Sequence, residues 1–206
     1  SCRNVLLQGI ILHNTIVYGL HNSGCFWIFK MDKTTQPQLK VAIIGPESSG
    51  KTTLCKQLSD TLSCDWVPEF ARKHLSENPI YIQVDLDYML EQQLLSENNY
   101  KHPLLICDGD PFSFKVWSQY KFGSTSEYIE QMIIESNYDH FLLLQPDLPY
   151  ENDPLRENRL LKDRKVLFAL FENELNKHNL SYSIIDGLNK KRLIVALKAL
   201  RQQKII

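Results

Sequence analysis

Eight consecutive residues of this chain have the types and spacing needed to bind phosphate. Residues 45–52 read Gly-Pro-Glu-Ser-Ser-Gly-Lys-Thr and match the phosphate-loop pattern G-x-x-x-x-G-K-[ST] at every fixed position. In such a loop glycines allow a tight turn, and successive backbone N–H groups surround an anion. Lys51 is expected to reach the β- and γ-phosphates of a nucleoside triphosphate, and the Thr52 hydroxyl to bind Mg²⁺.

The flanking segments have the character needed to position this loop. Residues 39–44 are a short apolar run rich in β-branched side chains, which predicts a strand, and residues 52–62 have apolar side chains at helical spacing. In the order strand, loop, helix, the positive end of the helix dipole faces the phosphates. The predicted ATP-binding residues here are Gly45, Glu47, Ser48, Ser49, Gly50, Lys51, Thr52 and Thr53.

Three carboxylates follow two further predicted strands. Residues 104–107 form an apolar run that ends in Asp108, and in phosphate-loop proteins such a strand delivers an aspartate to the water shell of Mg²⁺. Asp110 lies two residues further on. Residues 64–67 predict a shorter strand that ends at Pro68, and Glu69 begins the next helix.

Predicted strands and helices alternate from residue 39 to the C-terminus. Residues 141–144 are continuously apolar, as expected for a strand buried on both faces. The predicted fold class is α/β, a P-loop kinase-type parallel sheet with helices on both faces. Its ligands are expected at the carboxyl ends of the strands.

The N-terminal segment has a different composition. Within residues 1–30 short apolar clusters are interrupted by polar residues, so no run approaches the about 20 residues of a membrane span. We expect residues 1–38 to be an N-terminal extension that is non-native or disordered. Residues 1–30 are interpreted as upstream sequence translated in frame that contributes nothing to the site. An added strand pair or a peripheral anchor is the alternative. Residues 39–206 form the expected domain.

Composition argues against several partners and compartments. The formal net charge of −1 provides no electrostatic footprint for nucleic acid. Five cysteines, an odd number without a C-x-x-C pair, fit a reducing, cytoplasmic compartment better than a disulfide framework or a zinc site.

Several motifs together resemble the ribosylnicotinamide kinase domain of NadR-like proteins, over about residue 39 to the C-terminus. Glu47 within the phosphate loop and the Pro-Glu-x-Ala-Arg pattern make the resemblance more specific than a phosphate loop alone. Gly109 departs from it, because the family usually has threonine there, and the H-x-G-H motif of an adenylyltransferase domain is missing from this sequence. The matching segments are residues 45–52, 67–72, 107–110, 115–117, 146–150 and 153–156.

The resemblance implies a stand-alone kinase that transfers the γ-phosphoryl group of ATP to the 5′-hydroxyl of nicotinamide riboside, giving nicotinamide mononucleotide. Asp108 would hold a water of Mg²⁺ together with Thr52. Asp110 would orient the hydroxyl as the base and Glu69 would contact the substrate, although the reverse assignment of these two stays open. Arg156 would act on the transferring phosphate.

Other residues have a functional and a structural interpretation. Trp117 and Tyr150 are candidates to contact the cationic nicotinamide ring, or are packing residues. Arg72 is a candidate substrate contact, or forms an ion pair with Glu69. Gly187 lies where related kinases pass the backbone around adenine, or forms a turn. Two further arginines, Arg159 and Arg164, are either catalytic or part of a solvated basic face.

Two other functions are compatible with these residues. One is a kinase of another nucleoside or nucleotide, which would share everything except the base pocket. The other is a P-loop ATPase module that regulates a partner, and it would release inorganic phosphate instead of a phosphorylated acceptor.

Overall fold

The computed structural model describes residues 9–12, 15–18, 38–153, 155 and 158–206. By its internal contacts the chain separates into two compact units, residues 1–37 and residues 38–206. The assignment of residues 39–206 to a P-loop nucleoside kinase domain stays a prediction.

Within the first unit, two short strands pair. β1 (Gly9–Leu12) and β2 (Thr15–Tyr18) are antiparallel, with Gly9 opposite Tyr18 and Leu12 opposite Thr15. A strand pair is one of the alternatives given above for this segment. That the segment contributes nothing to the site stays a prediction, and its other residues lie outside the described part of the chain.

The second unit contains a parallel sheet of five strands. They are β3 (Leu39–Ile44), β4 (Asp65–Val67), β5 (Leu104–Cys107), β6 (His140–Leu144) and β7 (Tyr182–Ile185). Their order in the sheet is β4-β5-β3-β6-β7, with β3 at the centre between β5 and β6.

Both faces of this sheet are covered, which explains the unbroken apolar character of its central strands. All residues of β5 and β6 are buried. In β3, side chains alternate between faces, so that Val41 and Ile43 belong to one apolar cluster and Ala42 and Ile44 to the other.

The helices of residues 38–206 are α1 (Lys51–Leu62), α2 (Phe70–Glu77), α3 (Gln83–Glu97), α4 (Pro111–Phe122), α5 (Glu127–Glu135), α6 (Leu161–Lys177) and α7 (Lys190–Gln202). Helices α1 and α7 pack on the sheet face of Val41, and helices α2 to α6 pack on the face of Ala42. This arrangement confirms the predicted fold class. Within the ranges that the structure describes, no helix combines the length and the apolar character required to cross a bilayer.

Candidate active site

The sheet register brings five chain segments to one edge. Val67 of β4 pairs with Cys107 of β5, and Ala42 of β3 pairs with the same Cys107. On the other side, Ile44 pairs with Leu143 of β6. Since all the strands are parallel, the residues that follow each of them leave the sheet at its carboxyl edge, where α/β proteins bind ligands.

The phosphate loop has the backbone that its sequence requires. Gly45 and Gly50 have φ values of 140° and 82°, in the region that favours glycine. A Cβ at Gly45 would lie 2.8 Å from the carbonyl oxygen of Leu144, so only glycine fits between this loop and β6. Lys51 begins α1, and its Nζ donates to the carbonyl oxygens of Gly45 and Pro46 at 2.9 and 3.1 Å.

Thr52 and Asp108 lie together, as expected for a magnesium site. Thr52 Oγ1 donates to Asp108 Oδ2 at 2.6 Å, and Asp108 is fully buried. Burial raises the pKa of Asp108, while the hydrogen bond from Thr52 and the charge of Lys51 oppose the rise. The buried Oδ1 has no hydrogen-bond partner among the described residues.

This pair fits Mg²⁺ bound through phosphate oxygens and water. An orphaned carboxylate oxygen beside a threonine hydroxyl supplies the hard oxygen ligands that Mg²⁺ prefers. In the described part of the chain, no cluster of three or more His, Cys, Asp and Glu side chains could hold a metal ion by itself. The nucleotide would therefore have to complete the coordination.

Glu69 and Arg72 lie at the same edge, at the start of α2. Glu69 is half-buried, precedes the first residue of the helix and lines the main cavity. Burial raises the pKa of Glu69 from 4.5 to about 7, with a smaller contribution from the negative charge of Asp108. The positive charges of Lys51 and Arg72 oppose this rise. Arg72 also lines the cavity and forms an ion pair with Asp153.

The contacts of Asp110 differ from those expected of a side chain that reaches toward an acceptor, and its role as the base stays untested. Asp110 is fully buried and is the N-cap of α4. Its Oδ2 accepts from Phe112 N at 3.1 Å, and its Oδ1 accepts from both the backbone N and the hydroxyl of Ser113. Both oxygens are committed to the helix terminus, and Asp110 is not among the residues that line the cavity.

The cavity has a volume of about 670 Å³, within the usual range for small-molecule sites. Every residue from Gly45 to Leu54 lines it. One wall comes from α1 and the segment that enters α7: Thr53, Gln57, Leu188, Asn189, Lys190 and Arg192. The wall on the other face of the sheet is largely apolar: Ala71, Leu75, Val116, Trp117, Leu155, Leu167 and Phe171.

The two aromatic candidates differ in position. Trp117 lines the cavity, and its Nε1 donates to the Tyr81 hydroxyl at 2.9 Å. The Tyr81 ring packs edge-on against the indole, with 5.3 Å between centroids. Tyr150, in contrast, is not among the lining residues. Trp117 is the better placed of the two to contact a ring bound in the cavity.

The proline-bounded loop between β6 and α6 lies against the site, and two of its contacts involve residues predicted from the sequence, Glu47 and Arg72. Asn158 N donates to Glu47 Oε2 of the phosphate loop at 2.7 Å, and Asp153 pairs with Arg72. Arg156, the predicted catalytic arginine, lies outside the described residues. Arg164 is buried and donates to the Leu148 carbonyl at 3.1 Å, so it is not part of a solvated basic face, and a catalytic role for it stays a prediction.

Two residues of the site were not among the predicted site residues. Arg192 lies in α7, and its guanidinium donates to the carbonyl oxygen of Ser49, 143 positions earlier in the chain. Asp147, within the family-like segment 146–150, pairs with Arg192 and accepts from Gly187 N at 2.7 Å. The sequence does not indicate these contacts, because the partners come together only when β6, β7 and the phosphate loop are assembled.

Fold and site together define a phosphate-loop nucleotide-binding protein with the architecture of nucleoside and nucleotide kinases. A family model described as "AAA domain" matches residues 40–192. The match covers more than half of the chain, and the chain belongs to this family.

Comparison with known proteins confirms the resemblance to NadR. The "Trifunctional NAD biosynthesis/regulator protein NadR" of Escherichia coli K12 is 27% identical over 150 residues, which cover 69% of this chain. The matched region spans only 37% of that relative's length.

Solved structures show the same fold. A NadR crystal structure in complex with NR has a TM-score of 0.68 at 18% identity, covering 82% of this chain and 51% of that one. A second, in complex with NAD and AMP-PNP, has a TM-score of 0.66 at 18% identity, covering 82% and 50%. Thymidylate kinase from Ehrlichia chaffeensis has a TM-score of 0.58 at 18% identity, covering 81% of this chain and 99% of that one.

Proposed function

We propose that this protein is a kinase that transfers the γ-phosphoryl group of ATP to the 5′-hydroxyl of nicotinamide riboside. One observation carries the proposal: a single cavity joins the phosphate loop to a half-buried carboxylate with a raised pKa and to an apolar wall that contains an indole. A phosphate donor and a small acceptor with a flat ring can therefore meet in one site. The bound NR and AMP-PNP of the NadR structures support this choice of ligands.

The donor half of the site is the phosphate loop. Its backbone N–H groups and the start of α1 favour the triphosphate, and Lys51 is placed to neutralise charge on the β- and γ-phosphates. Thr52 and Asp108 are the residues that would hold Mg²⁺, which when bound neutralises charge on the phosphate oxygens. The carbonyl oxygens that accept from Lys51 keep its ammonium beside the loop.

The acceptor half requires a base, and we assign that role to Glu69 in place of Asp110. The Glu69 carboxylate takes the proton of the 5′-hydroxyl as the oxygen forms its bond to the γ-phosphorus. The bond between that phosphorus and the β–γ bridging oxygen breaks, and ADP leaves with the electron pair. A base with a pKa of about 7 suits this transfer near neutral pH.

The ring of the acceptor fits the wall opposite α1. A nicotinamide ring in the riboside is flat and cationic, so it is attracted to an aromatic face and to nearby carboxylates. Trp117 supplies the aromatic surface, and Glu69 and Glu151 are acidic residues of the same cavity. Arg72, held by Asp153, is placed to contact either the ribose or the phosphate being transferred.

The alternative acceptor is another nucleoside or a nucleotide, which the fold of thymidylate kinase favours. The wall also includes a cation, Lys121, whose Nζ donates to the Tyr81 hydroxyl at 2.6 Å. An ammonium group there would suit an acceptor that already carries a phosphate.

A panel of acceptors tests the proposal. The protein is incubated with Mg²⁺ and ATP and with nicotinamide riboside, uridine, cytidine, thymidine or thymidine monophosphate, and products are separated by liquid chromatography. We expect nicotinamide mononucleotide and ADP in equal amounts, with the highest kcat/KM for nicotinamide riboside. If another acceptor has a higher kcat/KM, that compound is the substrate instead of nicotinamide riboside. If only ADP and inorganic phosphate form, the protein is the regulatory ATPase.

A further inference from the structure

Arg192 of α7 contacts three separate segments at the nucleotide end of the cavity: the phosphate loop, residues 145–147 and Gly187. Its side chain is buried, with 4% of the residue exposed. Nη1 donates to the Ser49 carbonyl of the phosphate loop at 2.6 Å, and Nε donates to the Gly187 carbonyl at 2.9 Å. The terminal nitrogens also contact the Gln145 carbonyl at the end of β6, and Nη2 pairs with the Asp147 carboxylate.

Asp147 completes this network from the other side. Its Oδ1 accepts from Arg192, and its Oδ2 accepts from Gly187 N at 2.7 Å. Both peptide groups of Gly187 are therefore held, its N–H by Asp147 and its C=O by Arg192. The φ of Gly187 is 95°, a left-handed conformation that these two contacts stabilise.

The residues after Gly187 form the cavity wall. Leu188, Asn189 and Lys190 line the cavity, as do Thr53 and Gln57 of α1. Since one guanidinium holds both this wall and Ser49 of the phosphate loop, it sets how far apart the wall and the loop lie. A planar group with five donors can satisfy several carbonyl oxygens and a carboxylate at once, which an ammonium group cannot do in the same geometry.

We propose that Arg192 and Asp147 are a positioning pair for the donor nucleotide, which they serve by holding residues 187–190 at a fixed place relative to the phosphate loop. Neither residue touches the reacting atoms. The pair affects binding of the nucleoside triphosphate and leaves the acceptor side unchanged. This inference rests on the proposed function only for the identity of the donor.

The neighbouring ion pair provides a matched control. Lys191 and Asp186 are adjacent in sequence to Arg192 and Gly187, and Lys191 Nζ lies 3.3 Å from Asp186 Oδ1. Both side chains are more than half exposed, at 65% and 56%. Lys191→Gln and Asp186→Asn thus each remove one charge of the same sign as Arg192 or Asp147 beside the same loop, without removing a hydrogen bond of the network around Arg192.

The test compares Arg192→Gln, Arg192→Lys, Asp147→Asn and the double variant Arg192→Gln/Asp147→Asn with these controls. Binding of AMP-PNP with Mg²⁺ is measured by calorimetry, kcat and both KM values by turnover, and the folded fraction by circular dichroism. We expect Kd for AMP-PNP and KM for ATP to rise about 10- to 100-fold in Arg192→Gln, the usual effect of losing buried hydrogen bonds to a charged group.

Asp147→Asn should give a smaller increase, because the amide oxygen can still accept one hydrogen bond. Kd for AMP-PNP and KM for ATP of Arg192→Lys should lie between those of Arg192→Gln and the wild type. KM for the acceptor and kcat at saturating ATP should change less than about threefold, and the controls should bind like the wild type. The double variant should bind AMP-PNP no more weakly than Arg192→Gln does, since the two residues act as one unit.

Different failures are distinguishable. A lower melting temperature with unchanged nucleotide affinity, equal increases in both KM values, or additive effects in the double variant would overturn the positioning pair. If Arg192→Gln does not fold, the affinity of Asp147→Asn for AMP-PNP decides on the proposal. The Asp147 side chain is 34% exposed and lies in a loop, so its substitution should be tolerated by the fold. A wild-type chain that binds AMP-PNP but phosphorylates no riboside overturns the proposed acceptor, while the nucleotide titration still decides on the pair.

Discussion

Replacing Glu69 with glutamine tests the assignment of the base and the electrostatics of the site together. Glutamine keeps the size of the side chain and its place before α2, and it removes the charge. If Glu69 accepts the proton of the acceptor hydroxyl, kcat should fall roughly 10²- to 10⁴-fold, the usual contribution of general-base catalysis. The KM for the acceptor should change much less.

The raised pKa of Glu69 predicts that the same substitution, which lowers kcat, increases the stability of the folded protein at pH 8. The folded protein binds the Glu69 proton more tightly than the unfolded chain does, because the pKa rises from 4.5 to about 7 on folding. The free energy of unfolding therefore decreases as pH rises through this interval, by on the order of 3 kcal/mol. Removing the ionisable group at pH 8 should recover this amount, which corresponds to an increase in Tm of about 6–12 °C.

The assay is a pair of pH series on the wild type and on Glu69→Gln. The wild-type kcat/KM should rise with pH and level off above about 7, since the base must be ionised, and this limb should be missing in the variant. The Tm difference should shrink toward zero below pH 4.5. Glu77→Gln, at the exposed end of the same helix, is the matched control. A variant that retains kcat and its pH limb would refute the assignment, and an unchanged Tm at pH 8 would refute the raised pKa.

Three further predictions follow from single contacts. Lys51→Ala should abolish Mg²⁺-dependent phosphoryl transfer while the circular dichroism spectrum stays unchanged, because its ammonium contacts only loop carbonyl oxygens among the hydrogen bonds described; normal turnover would exclude the phosphate loop from catalysis. Asp110→Asn keeps an oxygen that can cap α4, so we expect kcat within about tenfold of the wild type; a loss of about 100-fold or more would restore Asp110 as the base. His140 is buried between the hydroxyls of Ser181 and Ser183, and burial lowers its pKa below 6.5. The unfolded chain thus binds its proton more readily, so thermal stability should fall as pH drops below 6.5, and His140→Gln should weaken this dependence.

The local sequence determined the central strands and the phosphate loop. β3, β5 and β6 are predictable because a strand buried on both faces needs apolar side chains on both. This requirement produces runs of consecutive apolar residues, at 41–44, 104–107 and 141–144. The loop is predictable because Gly45 and Gly50 adopt conformations that favour glycine, and at Gly45 a Cβ would also meet the backbone of β6. The proximity of Thr52 and Asp108 follows from the same pattern, because the phosphate loop follows β3, Asp108 follows β5, and these two parallel strands are neighbours in the sheet.

Only the tertiary structure decided which carboxylate faces the cavity. Asp110 and Glu69 both follow predicted strands, and a single sequence does not distinguish them. The difference lies in the backbone N–H groups of α4, which take up both oxygens of Asp110, while Glu69 precedes α2 and keeps its carboxylate at the cavity wall. Trp117 and Tyr150 are likewise separated only by which of them lines that cavity.

Arg192 is the clearest example of a site residue that the sequence alone does not identify. Nothing in the basic and apolar residues of α7 distinguishes this arginine from Lys190 and Lys191 at the start of the helix or from Arg201 in its last turn. Its role depends on a carbonyl oxygen of the phosphate loop and on Asp147, which are brought to it by the parallel order of β3, β6 and β7. A long-range hydrogen bond leaves no periodic trace in a sequence, because its partners are set by the packing of the sheet and its helices and not by their spacing along the chain.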